Sequence, residues 1–473
     1  MTEYPMHIGG RLVRTGRPHT VELPYDGSPV ATVFDAGAAE VDQAVTAALA
    51  AAPVMREMTR DERSAILRKA HYRLLELRPE IALAISSECG KPLKEALLEV
   101  ERGAGTLLFS SEEAHRLAGE VVPMDALAAG KGRWGMTLRE PVGVIAAITP
   151  FNFPLNLSLH KIGPAIAAGN AVVHKPASTT PVSALRMAAL FEECGLPPGA
   201  LNVVTGPGGS IGDRLVLHPQ VAMITFTGSP EVGTRIRNMA GLKRVTLELG
   251  NNSAVIIDSD ADLEDAVPRC VTGAFAHSGQ VCISVQRIYV QEKARSRFLE
   301  RFAAETKKLK PGHPHDPQTD VSSLITEKEA ERVEEWIGEA KAAGAEVLLG
   351  GARRGAILEP TVVANVPAGA RLITREAFGP VVAVNSYDTL DEAIAMVNRS
   401  DYGLQAGIYT RDLPKAFTAA RRIHVGGFLI NDVPQYRLDH MPYGGVKLSG
   451  IGREGPKYAI EEMTELKLVT WKV

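Results

Sequence analysis

Apolar positions along the chain fall into two textures. Up to about Ala118 the pattern reads as largely helical. Ile66, Ala70, Leu74 and Leu77 recur at helical spacing behind Thr59 and Glu62, a capping box, which predicts an amphipathic helix over 60–78 stopped by Pro79. From Pro141 onward, short continuous apolar runs alternate with helical stretches. Strands are expected over 142–148, 171–174, 201–204, 222–226 and 245–249, with helices over 154–168, 182–194, 210–217 and 230–239 between them. Strands that lack polar alternation and are separated by helices predict a parallel, doubly wound sheet covered on both faces. A second block of this kind runs from Asn252 to about Arg453, with strands over 254–257, 287–290, 347–349, 381–386, 407–410 and 427–430. The expected fold class is α/β, two doubly wound parallel-sheet domains in tandem. The segments 119–139 and 463–473 read as strands with no helices nearby, suited to leaving the body and pairing with another subunit.

Composition narrows the function classes. The 473 residues suit about three domains, and 45% hydrophobic against 23% charged residues is the balance of an ordered globular chain. A net charge of −3 leaves no basic excess for a phosphate backbone, so nucleic-acid binding is not expected. The four cysteines (Cys89, Cys194, Cys270, Cys282) are widely spaced without a CxxC, which excludes a disulfide framework and a structural zinc site. The beginning lacks the basic and apolar regions of a secretion signal, and no apolar run approaches the roughly 20 residues that span a bilayer. A soluble, cytoplasmic protein is the expectation.

Several residues could carry chemistry. Cys282 follows Gly279 and has His277 nearby; one Cys with one His falls short of a metal set, so no metal is expected. Alone, such a cysteine reads more readily as a small buried hydrophobe. Glu248 is the only charged residue near the end of an apolar strand, a place where α/β proteins put their sites and where burial is costly. Asn152 lies between a strand and a helix, where its amide could face an oxyanion or merely cap a turn. Of two glycine runs, 206–212 spaces as GxGxxxG and fails the usual dinucleotide fingerprint. In 226–231, Ser229 can cap a helix, with Pro230 at its first position and free amides facing a pyrophosphate. Lys175 ends an apolar strand, placed either for a ligand or for solvent.

Taken in order, TPFNFP, GNAVVHKPA, FTGS, ELGNN, GQVC, EAFGP and YGGVKLSGIGREG resemble the aldehyde dehydrogenase superfamily over nearly the whole chain. The resemblance implies that Cys282 is the nucleophile and that Asn152 and the Cys282 amide hold the oxyanion. Glu248 would activate the water that hydrolyses a thioester, with Lys161 supporting it from behind. Acylating relatives lack a Glu at this position, so Glu248 implies the hydrolytic branch. NAD(P) would lie along Thr149, Pro150, Phe151, Lys175, Ser178, Gly208, Gly212, Phe226, Thr227, Gly228, Ser229, Val232, Leu249 and Gly250, with Glu376 on the nicotinamide ribose and Phe378 beside it. Relatives specific for NAD carry a Glu where this chain has Ser178, which implies that NADP is accepted, even preferred.

The substrate positions implied are Phe153, Leu157, His160, Val281, Ile283, Tyr436 and Arg437. Val281 departs from the Arg that handlers of phosphorylated aldehydes often place before the cysteine, and His160 stands where many relatives have Trp. Arg437 could meet a carboxylate or hydroxyl, or instead pair with Asp439. A small hydroxy-aldehyde such as lactaldehyde, or a short semialdehyde, is the expected substrate. The implied architecture is a cofactor domain (1–118 and 142–250), a catalytic domain (251–453) and an oligomerisation arm (119–141 and 454–473) making homodimers or homotetramers. Two alternatives are a silent structural or binding member of the same fold and a cysteine esterase. Retention of Cys282, Glu248 and Asn152 speaks against the first; Lys175, Glu376 and Phe378 are unexplained by the second.

Overall fold

A computed structural model describes residues 1–473. Five parallel strands, Arg244–Glu248, Met223–Thr227, Val144–Ile148, Ala171–Lys175 and Leu201–Val203, form the centre of an eight-stranded sheet. Its two edges are antiparallel, Gly450–Ile451 on one side and Met6–Ile8 with Arg11–Val13 on the other. The three central strands are buried at every position, which is why their sequences show no alternation. Val144–Ile148 comes first among the five. The chain builds outward to Leu201–Val203, then crosses back to lay Met223–Thr227 and Arg244–Glu248 on the other side. Strand order therefore reverses beside Val144–Ile148, and a crevice opens at the carboxyl ends of the strands there.

A second sheet of seven strands runs in the order Glu346–Leu349, Thr361–Ala364, Val381–Tyr387, Val285–Gln291, Ser253–Ile257, Gln405–Tyr409, Gly427–Ile430, parallel except at Glu346–Leu349. Arg133–Pro141 and Thr464–Lys472 pair antiparallel along their whole length, with Val121–Val122 outside them, in a small separate sheet. Leu466, Leu468 and Trp471 are exposed on it, and Trp471 stacks on Trp134. No helix is long and apolar enough to cross a membrane.

The first 35 residues differ from the helical expectation. They form the strands Thr2–Tyr4, Met6–Ile8, Arg11–Val13, Arg17–Glu22 and Pro29–Asp35 before the first helix, Ala38–Glu57. Arg11–Val13 and Arg17–Glu22 are edge strands, mostly exposed, so they carry no apolar period to read. The capping box at Thr59 holds, with Thr59 Oγ1 accepting from the Glu62 amide, and its helix is Arg60–Glu76. Pro79 does not stop it but sits in the first turn of the next helix, Arg78–Cys89, where a missing N–H costs nothing. Two short turns of tight helix, Met124–Ala126 and Ala128–Gly130, interrupt 119–139. Ahead of Thr464–Lys472, the helix Pro456–Glu462 packs against Leu93–Arg116 and Asn156–Ala168.

Candidate active site

A cleft of about 780 Å³ lies between the two large sheets. The first sheet supplies loops that follow its strands: Pro150, Phe151 and Asn152 after Val144–Ile148, Gly228, Ser229 and Pro230 after Met223–Thr227, and Leu249 and Gly250 after Arg244–Glu248. The second sheet faces it with loops that precede its strands, bringing Cys282, Glu376 and Phe378, and Tyr402 joins them from the short strand Tyr402–Gly403.

Cys282 is presented by a strained turn. His277, Ser278 and Gly279 are left-handed in succession, with φ of 46°, 55° and 72°. A Cβ on Gly279 would lie 2.1 Å from the Gly379 carbonyl oxygen, so only glycine fits. Side chains pin the turn: Ser278 Oγ donates to the Ser322 carbonyl at 2.9 Å, and Gln280 Oε1 accepts from the Ile325 amide at 2.9 Å. Asn152 Nδ2 reaches across the cleft to the Gln280 carbonyl at 2.9 Å. Cys89, Cys194 and Cys270 are buried, whereas Cys282 is half-buried and lines the cleft. Its Sγ lies 2.9 Å from Tyr443 Oη. Burial pushes the Cys282 thiol up to about 11, against the pull of Tyr443 and the Arg437 guanidinium.

Glu248 ends its strand buried, and neither carboxylate oxygen has a hydrogen-bond partner. Burial, and then the charge of Glu454, raises its proton affinity well above that of an ordinary carboxylate. Glu454 takes the opposite course. Burial alone would raise it, but Lys161 Nζ at 2.8 Å and Arg437 Nη2 at 3.1 Å hold it down at about 2. Lys161 comes from the helix Asn156–Ala168, buried at every position behind the cleft. His160, one residue earlier, places Nε2 2.9 Å from Asp439 and 3.2 Å from Arg437 Nη2, and leaves Nδ1 unpartnered. Burial, then Arg437, lowers the proton affinity of its imidazole, against the pull of Asp439. The carboxylate of Arg437 is thus Glu454. Asp439 instead takes Arg102, at 2.9 and 3.2 Å, and Asn156 Nδ2 at 3.1 Å.

Of the other substrate positions, Leu157 lines the cleft. Val281 and Ile283 flank Cys282 in a small apolar cluster with Leu404 and Tyr443, against which Phe153 packs. Phe153 also meets His277 edge-on at 6.0 Å, with Lys91 Nζ 3.7 Å from its ring centre. Tyr436 is exposed, and its side chain is not among those lining the cleft.

On the opposite wall, Glu376 Oε1 accepts from the Asn251 amide at 2.9 Å, and burial pushes its carboxyl up to about 7. A Cβ on Gly250 would lie 2.3 Å from Glu376 Oε2, which explains that glycine. Phe378, left-handed at φ 49°, meets Phe151 edge-on at 5.8 Å. Ser229 Oγ caps the helix Pro230–Met239 by accepting from the Val232 amide, leaving that terminus open to the cleft, with the Val232 side chain exposed. Phe226 tucks beneath Gly228, and Thr227 lines the cleft. Thr149 turns away, its Oγ1 near Ser158 Oγ and His174 Nε2. Lys175 is buried rather than solvated. Its Nζ donates to the Pro176 carbonyl at 2.8 Å, and burial pushes the ammonium down to about 8. Ser178 Oγ donates to the Gly206 carbonyl at 3.3 Å. Gly208 and Gly212 bound the wide turn Gly208–Gly212, which approaches the Lys175 side chain.

Sequence reasoning missed Tyr443 and Glu454, although both lie within the last motif, and it missed Glu231, Glu329, Arg332, Trp336, Arg371, Arg375 and Tyr402 on the cleft wall. Trp336 is flanked by Arg332 and Arg371, and nothing in its local sequence marks it.

The aldehyde dehydrogenase family model matches residues 13–469. A 3-sulfolactaldehyde dehydrogenase of Priestia aryabhattai is 49% identical over 99% of this chain and 98% of its own length. A crystal structure of aldehyde dehydrogenase 21 from Physcomitrella patens, in complex with the reaction product succinate, superposes with a TM-score of 0.97 at 40% identity, covering 100% of this chain and 98% of that one. Glyceraldehyde-3-phosphate dehydrogenase of Methanocaldococcus jannaschii, complexed with NADP, gives 0.93 at 38% identity, covering 97% of this chain and 100% of that one.

Proposed function

The chain belongs to the aldehyde dehydrogenase family of NAD(P)-dependent oxidoreductases, and from that premise we propose that it oxidises a small hydroxylated or anionic aldehyde to the carboxylic acid through Cys282. One observation carries the assignment of the nucleophile: Cys282 alone of the cysteines escapes burial, and it opens into the cleft that Glu376 and Phe378 also line.

Cys282, as the thiolate, bonds the aldehyde carbon while the carbonyl oxygen takes up negative charge. Asn152 Nδ2, with its second N–H free, and the Cys282 amide stabilise that oxygen. Bound NAD(P)+ supplies the acceptor for the hydrogen and electron pair whose loss leaves a thioester on Cys282. Glu248 then draws a proton from water, whose oxygen attacks the acyl carbon, and the sulfur leaves. The buried, unpartnered carboxyl suits this, because a raised proton affinity makes a stronger base. Lys161 acts at one remove by holding Glu454 ionised.

The cofactor fits the residues present. The buried Lys175, with a carbonyl as its only partner, can turn to a ribose hydroxyl or phosphate. The amides at Ser229 and Glu231 suit a pyrophosphate, and the cradle of Gly250 and Glu376 suits the nicotinamide ribose. Ser178 in place of a carboxylate favours NADP.

For the aldehyde, support comes from Arg437, whose Nε is buried and unpartnered, and from Arg102, held by Asp439 on the other side of His160. Both suit a terminal anion or hydroxyl, and relatives that handle 3-sulfolactaldehyde or yield succinate agree. The exposed Leu466, Leu468 and Trp471 suit a second copy of this chain, giving a homodimer or homotetramer. Cys282→Ala should abolish reduced-cofactor formation, and retained turnover rejects the nucleophile. A panel of sulfolactaldehyde, lactaldehyde, succinic semialdehyde, long-chain and aromatic aldehydes should rank the first three highest in kcat/KM. Preference for the long-chain or aromatic members rejects the substrate class.

A further inference from the structure

We infer that Tyr443 is a further catalytic residue, its phenol donating a hydrogen bond to the Cys282 sulfur and carrying part of the thiolate's charge; the inference rests on Cys282 being the nucleophile. Tyr443 is buried in the cluster of Val281, Ile283 and Leu404, which a phenyl ring would fill equally well. Burying a hydroxyl among apolar side chains costs free energy unless it is bonded, and the sole partner of this one is Cys282 Sγ at 2.9 Å. The hydroxyl is therefore explained by the sulfur and by nothing else around it.

The direction of the bond follows from the surroundings. Four groups face Cys282 from the elements around it: Glu248 at a strand end, Glu376 from the loop before Val381–Tyr387, and Arg437 and Tyr443 from the late loop. The two carboxylates oppose a thiolate, whereas the arginine and the phenol favour it. Burial and the neighbouring sulfur push ionisation of Tyr443 well above its ordinary value, so the phenol keeps its proton and donates as the thiol loses its own. Arg437 stacks on the Tyr443 ring with its guanidinium carbon 3.6 Å from the centre, and Glu454 holds it there at 3.1 Å. A cation over the ring polarises the O–H and strengthens it as a donor. During deacylation water gives its proton to Glu248, its oxygen bonds the acyl carbon, and the C–S pair returns to sulfur. Tyr443 retains its proton throughout and receives the thiolate as a hydrogen-bond acceptor.

The test is the reaction of the full chain with a dipyridyl disulfide between about pH 7 and 10, with Cys282→Ala subtracting the buried thiols. A hydrogen bond to a charged group is worth about one to two pKa units, so Tyr443→Phe should cut the thiolate fraction about 10- to 100-fold. The more basic thiolate regains part of this, leaving a reaction about 3- to 16-fold slower. Tyr443→Leu, which also removes the ring, should be slowed at least as much. Wild-type reactivity in Tyr443→Phe with slowing only in Tyr443→Leu would reduce Tyr443 to packing and overturn the inference. Unchanged thiol kinetics with a raised KM for hydroxylated aldehydes would assign the phenol to the substrate, also overturning it. Either result with Cys282→Ala inactive leaves the nucleophile standing, whereas an active Cys282→Ala removes both.

Discussion

Replacing Ser178 by Glu should shift cofactor preference towards NAD, and the structure sets the size of the effect. Ser178 is half-buried, and its hydroxyl does no more than touch the Gly206 carbonyl at 3.3 Å, so a longer side chain is free to swing into the cofactor's ribose end. Unit charges about 5 Å apart interact by roughly 0.8 kcal/mol in water and roughly 3 kcal/mol at an effective dielectric of about 20. A half-buried carboxylate against a 2′-phosphate lies between these, so KM for NADP should rise about 5- to 150-fold, while NAD gains an acceptor for its ribose hydroxyls. The wild type supplies a second arm. Burial holds the Lys175 ammonium down at about 8, so its positive charge, present at pH 7, is lost as pH rises through that value. Attraction for the phosphate should fall with it, and kcat/KM for NADP relative to NAD should drop about tenfold between about pH 7 and 9. Steady-state kinetics with both cofactors at saturating aldehyde measures both arms. A specificity ratio unmoved by Ser178→Glu and flat across that pH range refutes the reasoning.

Glu248→Gln should leave a single-turnover burst of reduced cofactor followed by slow release of acid; because burial already favours the neutral carboxyl, its melting temperature should stay near that of the wild type, and loss of the burst itself counts against the assignment. Asn152→Ala should lower kcat about 10²- to 10³-fold with little change in KM for cofactor, read by steady-state kinetics. Gly250→Ala places a Cβ 2.3 Å from Glu376 Oε2, so Glu376 must leave the Asn251 amide, and KM for cofactor should rise about tenfold in fluorescence titration or kinetics.

What the sequence made legible follows from where each residue stands on a strand. Asn152 follows the carboxyl end of the strand where strand order reverses, and Glu248 ends a parallel strand two places away, on the side of the sheet where topology alone predicts a site. Cys282 and Glu376 come from loops that precede strands of the other sheet, a placement no such rule anticipates; only their motifs marked them. Lys175 shows the limit of local reading. A lysine ending an apolar strand is equally a surface residue until burial decides, and the tertiary fold buries this one. Glu454 and Lys161 are 293 residues apart, and nothing in either neighbourhood announces the other. The exposed strands of the first 35 residues were illegible for a different reason: with one face or both in solvent, and edges for neighbours, they carry no apolar period.

The buried charges explain why these residues had to be found together. Lys161 and Arg437 face the ionised Glu454, and the partly exposed Arg102 faces the ionised Asp439, with His160 between the two pairs. Burial would raise Asp439, but His160 and Arg102 hold it far below the usual carboxylate range. Glu248, repelled by Glu454 and stripped of hydrogen bonds, is driven towards its neutral form. Arg437 draws both the Cys282 thiol and the Glu248 carboxyl towards their ionised forms, while a charge on Glu248 opposes one on Cys282. In the proposed mechanism the ionised thiol prepares attack on the aldehyde and the ionised carboxyl prepares attack on the thioester. The cluster therefore couples nucleophile to base. Arg437, which touches Glu454, His160 and the ring of Tyr443, is the residue through which that coupling runs. An anionic aldehyde would bring a further negative charge to the same side, which is why substrate charge and pH dependence should not be separable in this site.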